Sequence, residues 1–381
     1  MFIQRLKQLL KPEYDTLNRI EINRRAILAN LELLRQEQAN NEIIPVLKAN
    51  AYGHGLAEIA RILNKADIKM LAVDSFPEAQ IAYRYSRAKV LLIGELPLKA
   101  YAYLNWKRTE VCVYNTQTLV FLAKFYPGVK IHLFINSGMN REGIKDVKKF
   151  YLNNSQYLNK LKVNGLCSHL ADGEGDGKSN EMQLKQFLSA LDFFESQGLK
   201  FEYVHLANSA GAFSVKHPRL NAFRPGLACY GYNPLPKSHP RFKVASKLQA
   251  ALALYSKVIS QQSLNTDEGV SYNYTFKAKQ EMNIAVIPFG YYEGLDRRLS
   301  NQAQFKIADK YYKIAGNVCM NMTCLSLGNS TENYVGREVE LISPNQLQCN
   351  SIASLAALEG TIPYEVLVKL QANIRRTIID K

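Results

Sequence analysis

The chain has 381 residues, 47% of them hydrophobic, which is enough for a full core and too long for one ordinary domain. No apolar run approaches the length of a membrane span, which argues against an integral membrane protein. The formal charge of +15 is spread along the whole length with no dense basic block and no nucleic-acid motif, so it reads as a solvated basic surface, able to steer an anionic substrate, rather than a nucleic-acid interface.

Residues 1–13 open the chain as an extension. The run MFIQRLKQLLKPEY interrupts its apolar residues with Gln, Arg and Lys, which suits a short amphipathic helix and lacks the apolar stretch of a secretory signal. Short β-branched runs then alternate with longer helix-like stretches. Candidate strands fall at 43–47, 70–73, 90–93, 111–113, 130–135, 163–168, 202–206 and 222–224. Amphipathic segments such as 183–197 lie between them. Apolar strands alternating with helices imply parallel strands joined by crossovers. Eight in a row predict an α/β fold, a closed (β/α)8 TIM-type barrel over 14–243. The pattern changes after 232–243 (YNPLPKSHPRFK), whose prolines and sparse apolar residues read as a linker. Strand-like runs follow, ALALYSKVIS, NIAVIPF, FKIADKYYKIAG and REVELIS, with helices expected only at 351–359 and 363–372. Residues 244–381 therefore read as a mainly β C-terminal domain. The six cysteines are scattered without a C-x-x-C pair, which fits reduced thiols in a cytoplasmic protein better than disulfides or zinc.

The strongest chemical signal is Lys48–Gly55, KANAYGHG, directly after IIPVL. It sets Lys48 at the C-terminal end of the first barrel strand, where barrel active sites form. A lysine there can form a Schiff base with an aldehyde cofactor. Alone, such a lysine is usually a solvated turn residue. Further unusual loops follow strands five to eight: NSGMNREG (136–143), SHLAD (168–172), ANSAG (207–211) and RPG (224–226). Each alone is a turn with helix caps; together they would crowd one mouth. The loops after strands seven and eight are the usual phosphate cradle, with Ser209 and the amides near Gly226 and Leu227 as donors. His54, His132 and His205 read as structural, and no spacing suggests a metal site.

Nine collinear runs now resemble the alanine racemase family over residues 17–376: KANAYGHG, HLFINSGMNREG, SHLAD, HLANSAG, RPGLACYG, VSYNYTF, PFGYYEG, GNVCMN and TIPYE. The resemblance implies a pyridoxal-phosphate-dependent homodimer that interconverts L- and D-alanine for cell-wall peptidoglycan, with active sites shared between subunits. It implies that Lys48 carries the cofactor and is one catalytic base, and that Tyr272 is the opposite base, donated by the partner. Tyr52, Asn208, Ser209, Gly226, Leu227 and Tyr364 resemble the cofactor-binding set, His169 the histidine beside the ring, and Arg224 the arginine facing the pyridine nitrogen. Arg141 and Met320 resemble the groups that hold substrate, and Tyr291 a gate at the entrance.

The residue types suit that chemistry. Two bases on opposite faces can racemise without turning the substrate. Unperturbed lysine and tyrosine have pKa values of about 10, so both need help from charge or burial near neutral pH. An arginine does not release its proton and leaves the cofactor a weaker electron sink.

The chain also departs from the family. Phe134 stands where many members have a carbamylated lysine that orients the arginine matching Arg141, and Asn136 replaces the usual aspartate. Asn317 and Asn321 replace an arginine and an aspartate, as if one ion pair had been removed whole. Two alternatives follow: a racemase of this fold acting on serine or another amino acid, and a non-catalytic pyridoxal-phosphate-binding protein.

Overall fold

A computed structural model describes residues 15–175 and 177–380; the proposed helix over 1–13 lies outside them. The chain divides into two units. Residues 23–251 with 378–380 form one, and residues 15–22 with 252–377 form the other.

The first unit is a (β/α)8 barrel. Its strands are, in order, Glu42–Ile43, Met70–Val73, Lys89–Leu92, Thr109–Val113, Lys130–Phe134, Lys162–Cys167, Tyr203–His205 and Ala222–Phe223. Strands two to eight pair in sequence order, all parallel, and the first pairs with the eighth. A parallel bridge between Val46 and Ala72 closes the ring. The expected strands all appear, because buried parallel strands write themselves as continuous apolar runs. Ile44, Val46, Met70, Ala72, Leu91, Cys112, Phe134, Cys167, Tyr203 and Ala222 fill the interior.

Segment 232–243 is less free than a linker. Tyr232 and Leu235 are buried, the Tyr232 ring meets His54 edge-on, and Arg241 forms an ion pair with Glu37. Its apolar side chains and its guanidinium find partners that proline content alone does not reveal. Nearby, Gly231 has φ +93°, and a Cβ there would lie 1.7 Å from the Gln249 carbonyl oxygen.

The second unit is mainly β. A six-stranded sheet runs in the order Lys310–Lys313, Gln304–Ile307, Glu338–Ile342, Leu252–Lys257, Arg19–Asn23 and Arg375–Ile379. Arg19–Asn23 pairs antiparallel with Leu252–Lys257, so this early strand joins a sheet built mostly from the end of the chain. That pairing is non-local, and local periodicity carries no trace of it. A three-stranded sheet holds Ser260–Leu264, Met282–Ile287 and Thr323–Gly328. A short ladder, Gly269–Val270 with Phe276–Lys277, forms a hairpin whose tip carries Tyr272. Helices Ile352–Glu359 and Pro363–Lys369 lie where the sequence suggests. Of the six thiols, Cys112, Cys167 and Cys229 are buried, while Cys349 is exposed.

Gly231→Ala should lower the unfolding free energy by roughly 2–4 kcal/mol, because the new methyl meets rigid backbone at a left-handed φ. Urea unfolding of the purified variant measures this, and an unchanged midpoint would show that the 249 backbone yields freely.

Candidate active site

Lys48 begins a single turn with the wrong hand for L-residues. Ala49, Asn50, Ala51 and Tyr52 all have φ near +53°, and Gly53 at +77° ends the turn. Such a run costs on the order of 1 kcal/mol or more per residue and needs its surroundings to hold it. Glu78 accepts from the Ala49 amide (2.7 Å) and from the Asp74 amide (2.8 Å), and Asn50 Oδ1 accepts from the Leu56 amide (2.9 Å). The turn reverses the chain tightly and leaves the Lys48 ammonium 3.7 Å from Asp74 at the barrel mouth. Glu78 is invisible to motif reading because it lies thirty residues on, in helix Phe76–Tyr85 beyond the second barrel strand.

Tyr52 leaves the same turn. Its ring packs on Tyr230 (5.2 Å between centroids), whose hydroxyl donates to the Val46 carbonyl (2.7 Å). The Tyr52 hydroxyl lies over Gly226, where a Cβ would come within 2.2 Å of it. Ser209 Oγ accepts from the amides of Gly226 (2.9 Å) and Ala228 (3.2 Å), and Leu227 lies between them. Asn208 Oδ1 accepts from the Gly211 amide (2.9 Å) and so caps the loop that carries Ser209. A hydroxyl, a second hydroxyl and a run of amides across a glycine make a cradle for a phosphate dianion. These residues fit a phosphate-bearing aldehyde ring, with Lys48 as its only required covalent partner.

Arg224 is 5% exposed. One terminal nitrogen donates to His205 Nδ1 and to the His205 carbonyl; the other donates to the Ser168 carbonyl and approaches His169 Nδ1 (3.4 Å). Those contacts use the four terminal hydrogens, which leaves Nε–H as the donor for a ligand. His169 is held strongly neutral: burial first, then the charges of Arg224, Arg141 and Lys48, push its pKa down to about 3. Three cations acting on one imidazole show that the loops after strands one, five, six and eight converge.

Arg141 does not stand alone. Glu142 takes it in a two-pronged ion pair, Nε to Oε2 and NH2 to Oε1. Asn136 instead organises its own loop, accepting from the Gly138 and Asn140 amides (both 3.1 Å). Phe134 is buried in the barrel interior, edge-on to Tyr114. A carboxylate thus faces Arg141 after all, supplied by the adjacent residue. Sequence reading missed it because adjacent side chains usually point apart and no spacing rule marks a pair that meets.

The remaining site residues belong to the β unit. Tyr272 is 70% exposed. Its turn is strained, with positive φ at Ser271, Asn273 and Tyr274. Ser271 Oγ donates to the Asn317 carbonyl (2.7 Å), and Asn317 Nδ2 donates to the Tyr272 carbonyl (2.8 Å). Asn321 Nδ2 donates to Glu293 Oε1 (2.7 Å). The Tyr291 amide donates to Cys319, and the Tyr292 amide to Met320, so the GYYEG and GNVCMN loops lie side by side. An open cavity of about 650 Å3 is lined by 271–274 and 319–322, including Tyr272 and Met320. Tyr364, partly buried, sits in the first turn of Pro363–Lys369.

Known proteins resemble the chain along almost its whole length. Residues 22–234 match the family described as "Alanine racemase, N-terminal domain", and residues 251–378 match "Alanine racemase, C-terminal domain". A curated alanine racemase from Borreliella burgdorferi (strain ZS7) is 31% identical over 371 residues, covering 95% of this chain and 97% of the relative. One from Desulforamulus reducens is 31% identical over 380 residues, covering 94% and 98%. Among solved structures, alanine racemase from Bacillus anthracis with bound L-Ala-P superposes with a TM-score of 0.87 at 28% identity, covering 96% of each chain. The Bartonella henselae enzyme with covalently bound pyridoxal phosphate gives 0.83 at 26% identity, covering 96% and 100%.

Burial lowers the pKa values of His132 and His205 as well as that of His169. The unfolded chain therefore takes up protons first, below the ordinary value of about 6.5, and stability falls as pH drops from there. Each ring contributes a slope of up to about 1.4 kcal/mol per pH unit. Denaturant unfolding between pH 7 and pH 5, above the carboxylate range, should show this loss; a flat profile would mean the rings carry protons in the native state.

Proposed function

Since the chain belongs to the alanine racemase family, we propose that it racemises alanine with pyridoxal phosphate held at the barrel mouth, using Lys48 and Tyr272 as bases on opposite faces of the substrate. The observation that carries this reading is the convergence of Lys48, Arg141 and Arg224 on neutral His169, beside the cradle of Tyr52, Ser209 and Gly226. Bound pyridoxal phosphate supplies the electron sink that makes the α-hydrogen removable.

The chain's own residues do the rest. Tyr52, Ser209 and the amides of Gly226 and Leu227 would hold the phosphate, with Asn208 bracing their loop. Arg224, its terminal nitrogens already engaged, would offer Nε–H to the ring nitrogen; because a guanidinium keeps its proton, that nitrogen would stay unprotonated and the electron sink weaker. His169, neutral, would pack beside the ring. Arg141, already paired by Glu142, and the backbone at Met320 orient the substrate carboxylate. Lys48 Nζ removes or returns the proton on one face; the Tyr272 hydroxyl does so on the other. Tyr291 narrows the entrance.

The proposal includes a homodimer in which Tyr272, Met320, Tyr291 and Tyr364 complete the partner's site. Its support is the exposure of Tyr272, Tyr274, Met320 and Met322 together on one face of the β unit, an apolar patch that calls for a cover. The functional division proposed is an extension over 1–13, a cofactor-binding barrel to 243 and a β domain from 244, with strand Arg19–Asn23 joined to the β unit's sheet. We place the enzyme in the cytoplasm, where six free thiols stay reduced, supplying D-alanine for peptidoglycan. Among the described residues no helix is long and apolar enough to cross a membrane.

Borohydride reduction of the holoenzyme, followed by peptide mapping, should place the pyridoxyl label on Lys48. A label on another lysine would sink the assignment, and a racemisation panel of amino acids decides between alanine and serine.

Mixing inactive Lys48→Ala with inactive Tyr272→Phe subunits should restore one intact site per mixed dimer, about a quarter of natural activity per subunit pair at random exchange, given a general base worth on the order of a hundredfold. No recovery from folded, exchanging subunits would refute the shared site.

A further inference from the structure

Three buried polar side chains cross the barrel interior below the mouth, and the mechanism above uses none of them. Glu110 (fourth strand) is 1% exposed, and His132 (fifth) and His205 (seventh) are fully buried. His132 Nε2 lies 3.0 Å from Glu110 Oε2, and His132 Nδ1 lies 2.8 Å from His205 Nε2. His205 Nδ1 meets Arg224.

The direction of every bond in this chain is forced. An arginine only donates, so His205 Nδ1 accepts and its proton sits on Nε2. That N–H points at His132 Nδ1, which must accept in turn. The His132 proton is then on Nε2 and is donated to Glu110. A proton added to either ring would set two donors against each other. Asn164 Nδ2 donates to the same Glu110 oxygen (2.7 Å), while Lys89 (3.2 Å) and Lys130 (3.5 Å) reach the other. Burial alone would raise the Glu110 carboxyl, but the His132 bond, Asn164 and Lys130 bring it down to about 2. Burial keeps both rings neutral.

The surroundings make room for the chain. A Cβ at position 165 would lie 2.2 Å from His132 Nδ1, so the sixth strand carries Gly165 where the ring crosses. Tyr203 stacks on the other side of that ring at 5.6 Å. Apart from Asn164, the barrel cluster around this chain is apolar, including Met70, Leu91 and Cys112, and an ionised carboxylate there is costly unless it is fully bonded. Packing gives no reason for one.

We propose that Glu110 is a positioning residue for Arg224, acting through His132 and His205. By accepting from His132 it fixes the tautomer of both rings and keeps a bare acceptor, His205 Nδ1, against the guanidinium. A turned or protonated His205 would place a donor against a donor and push Arg224 off its line to the mouth. Successive bonds oriented the same way also strengthen one another. The inference rests on the reading that Arg224 faces the cofactor nitrogen.

Nitrogen NMR of holoenzyme labelled in histidine tests it directly. The natural protein should show His132 and His205 as neutral Nε2–H tautomers; an Nδ1–H or doubly protonated form of either ring overturns the relay. Glu110→Leu should mix the tautomers and lower kcat by about tenfold or more with little change in KM, as expected when support for a site group is lost. Glu110→Gln, whose amide oxygen still accepts from His132, should keep both tautomers and most of kcat. A Gln variant as impaired as the Leu variant overturns the proposal, as does a Leu variant with unchanged tautomers. Gly165→Ala is the second route if Glu110→Leu does not fold: it displaces His132 with Glu110 intact and should reproduce the loss, and normal kcat with displaced His132 resonances counts against the relay. A natural protein with both Nε2–H tautomers but no racemase activity overturns the functional reading while leaving the relay standing.

Discussion

A buried arginine must have its donors satisfied by protein or ligand, and that requirement organises the mouth of this barrel. Arg224 cannot relieve its burial by losing a proton. The backbone carbonyls at Ser168 and His205 and the His205 ring take its terminal hydrogens, which fixes the spacing of strands six, seven and eight around it. Burial, reinforced by the positive field that results, keeps His169 neutral, and the same field makes the mouth attractive to phosphate and carboxylate. Binding and orientation thus share one electrostatic source, to which burial adds in setting the state of the ring.

The barrel was largely legible because each buried strand is a short apolar run and each functional loop follows one. Lys48, Ser209 and Gly226 follow strand ends, and it is their falling together at one mouth that marks them, while the role of Arg224 was legible only through the family resemblance. The β unit was harder. Arg19–Asn23 pairs with a strand more than two hundred residues later, and Thr323–Gly328 alternates buried and half-buried residues too mildly to separate from loop. Glu110 was hidden for a different reason. Within TEVCV it belongs to no motif, and only the register of the fourth and fifth strands, Cys112 against His132, sets it beside that ring.

The positions where the sequence reading expects departures from the family share a logic. Phe134 extends the apolar interior, and Asn317 and Asn321 are amides that hydrogen-bond to the Tyr272 carbonyl and to Glu293. The anion facing Arg141 comes from its own loop, as Glu142, and the turn bearing Tyr272 is tied by neutral groups. Neutral ties avoid the desolvation cost of a buried ion pair.

The left-handed turn after Lys48 bears on what mutation can reach. Only glycine, and less readily asparagine or aspartate, enters that backbone region at low cost, and β-branched residues are nearly barred from it. Ala49, Asn50 and Ala51 are therefore constrained by backbone shape rather than by reactivity. Random variation across KANAY would be filtered first for tolerance of this geometry and only then for chemistry. Libraries that aim to change substrate preference would lose many members there without ever testing a new pocket, whereas the Glu142 and Asn317 positions, with negative φ, leave the backbone free to accept a change.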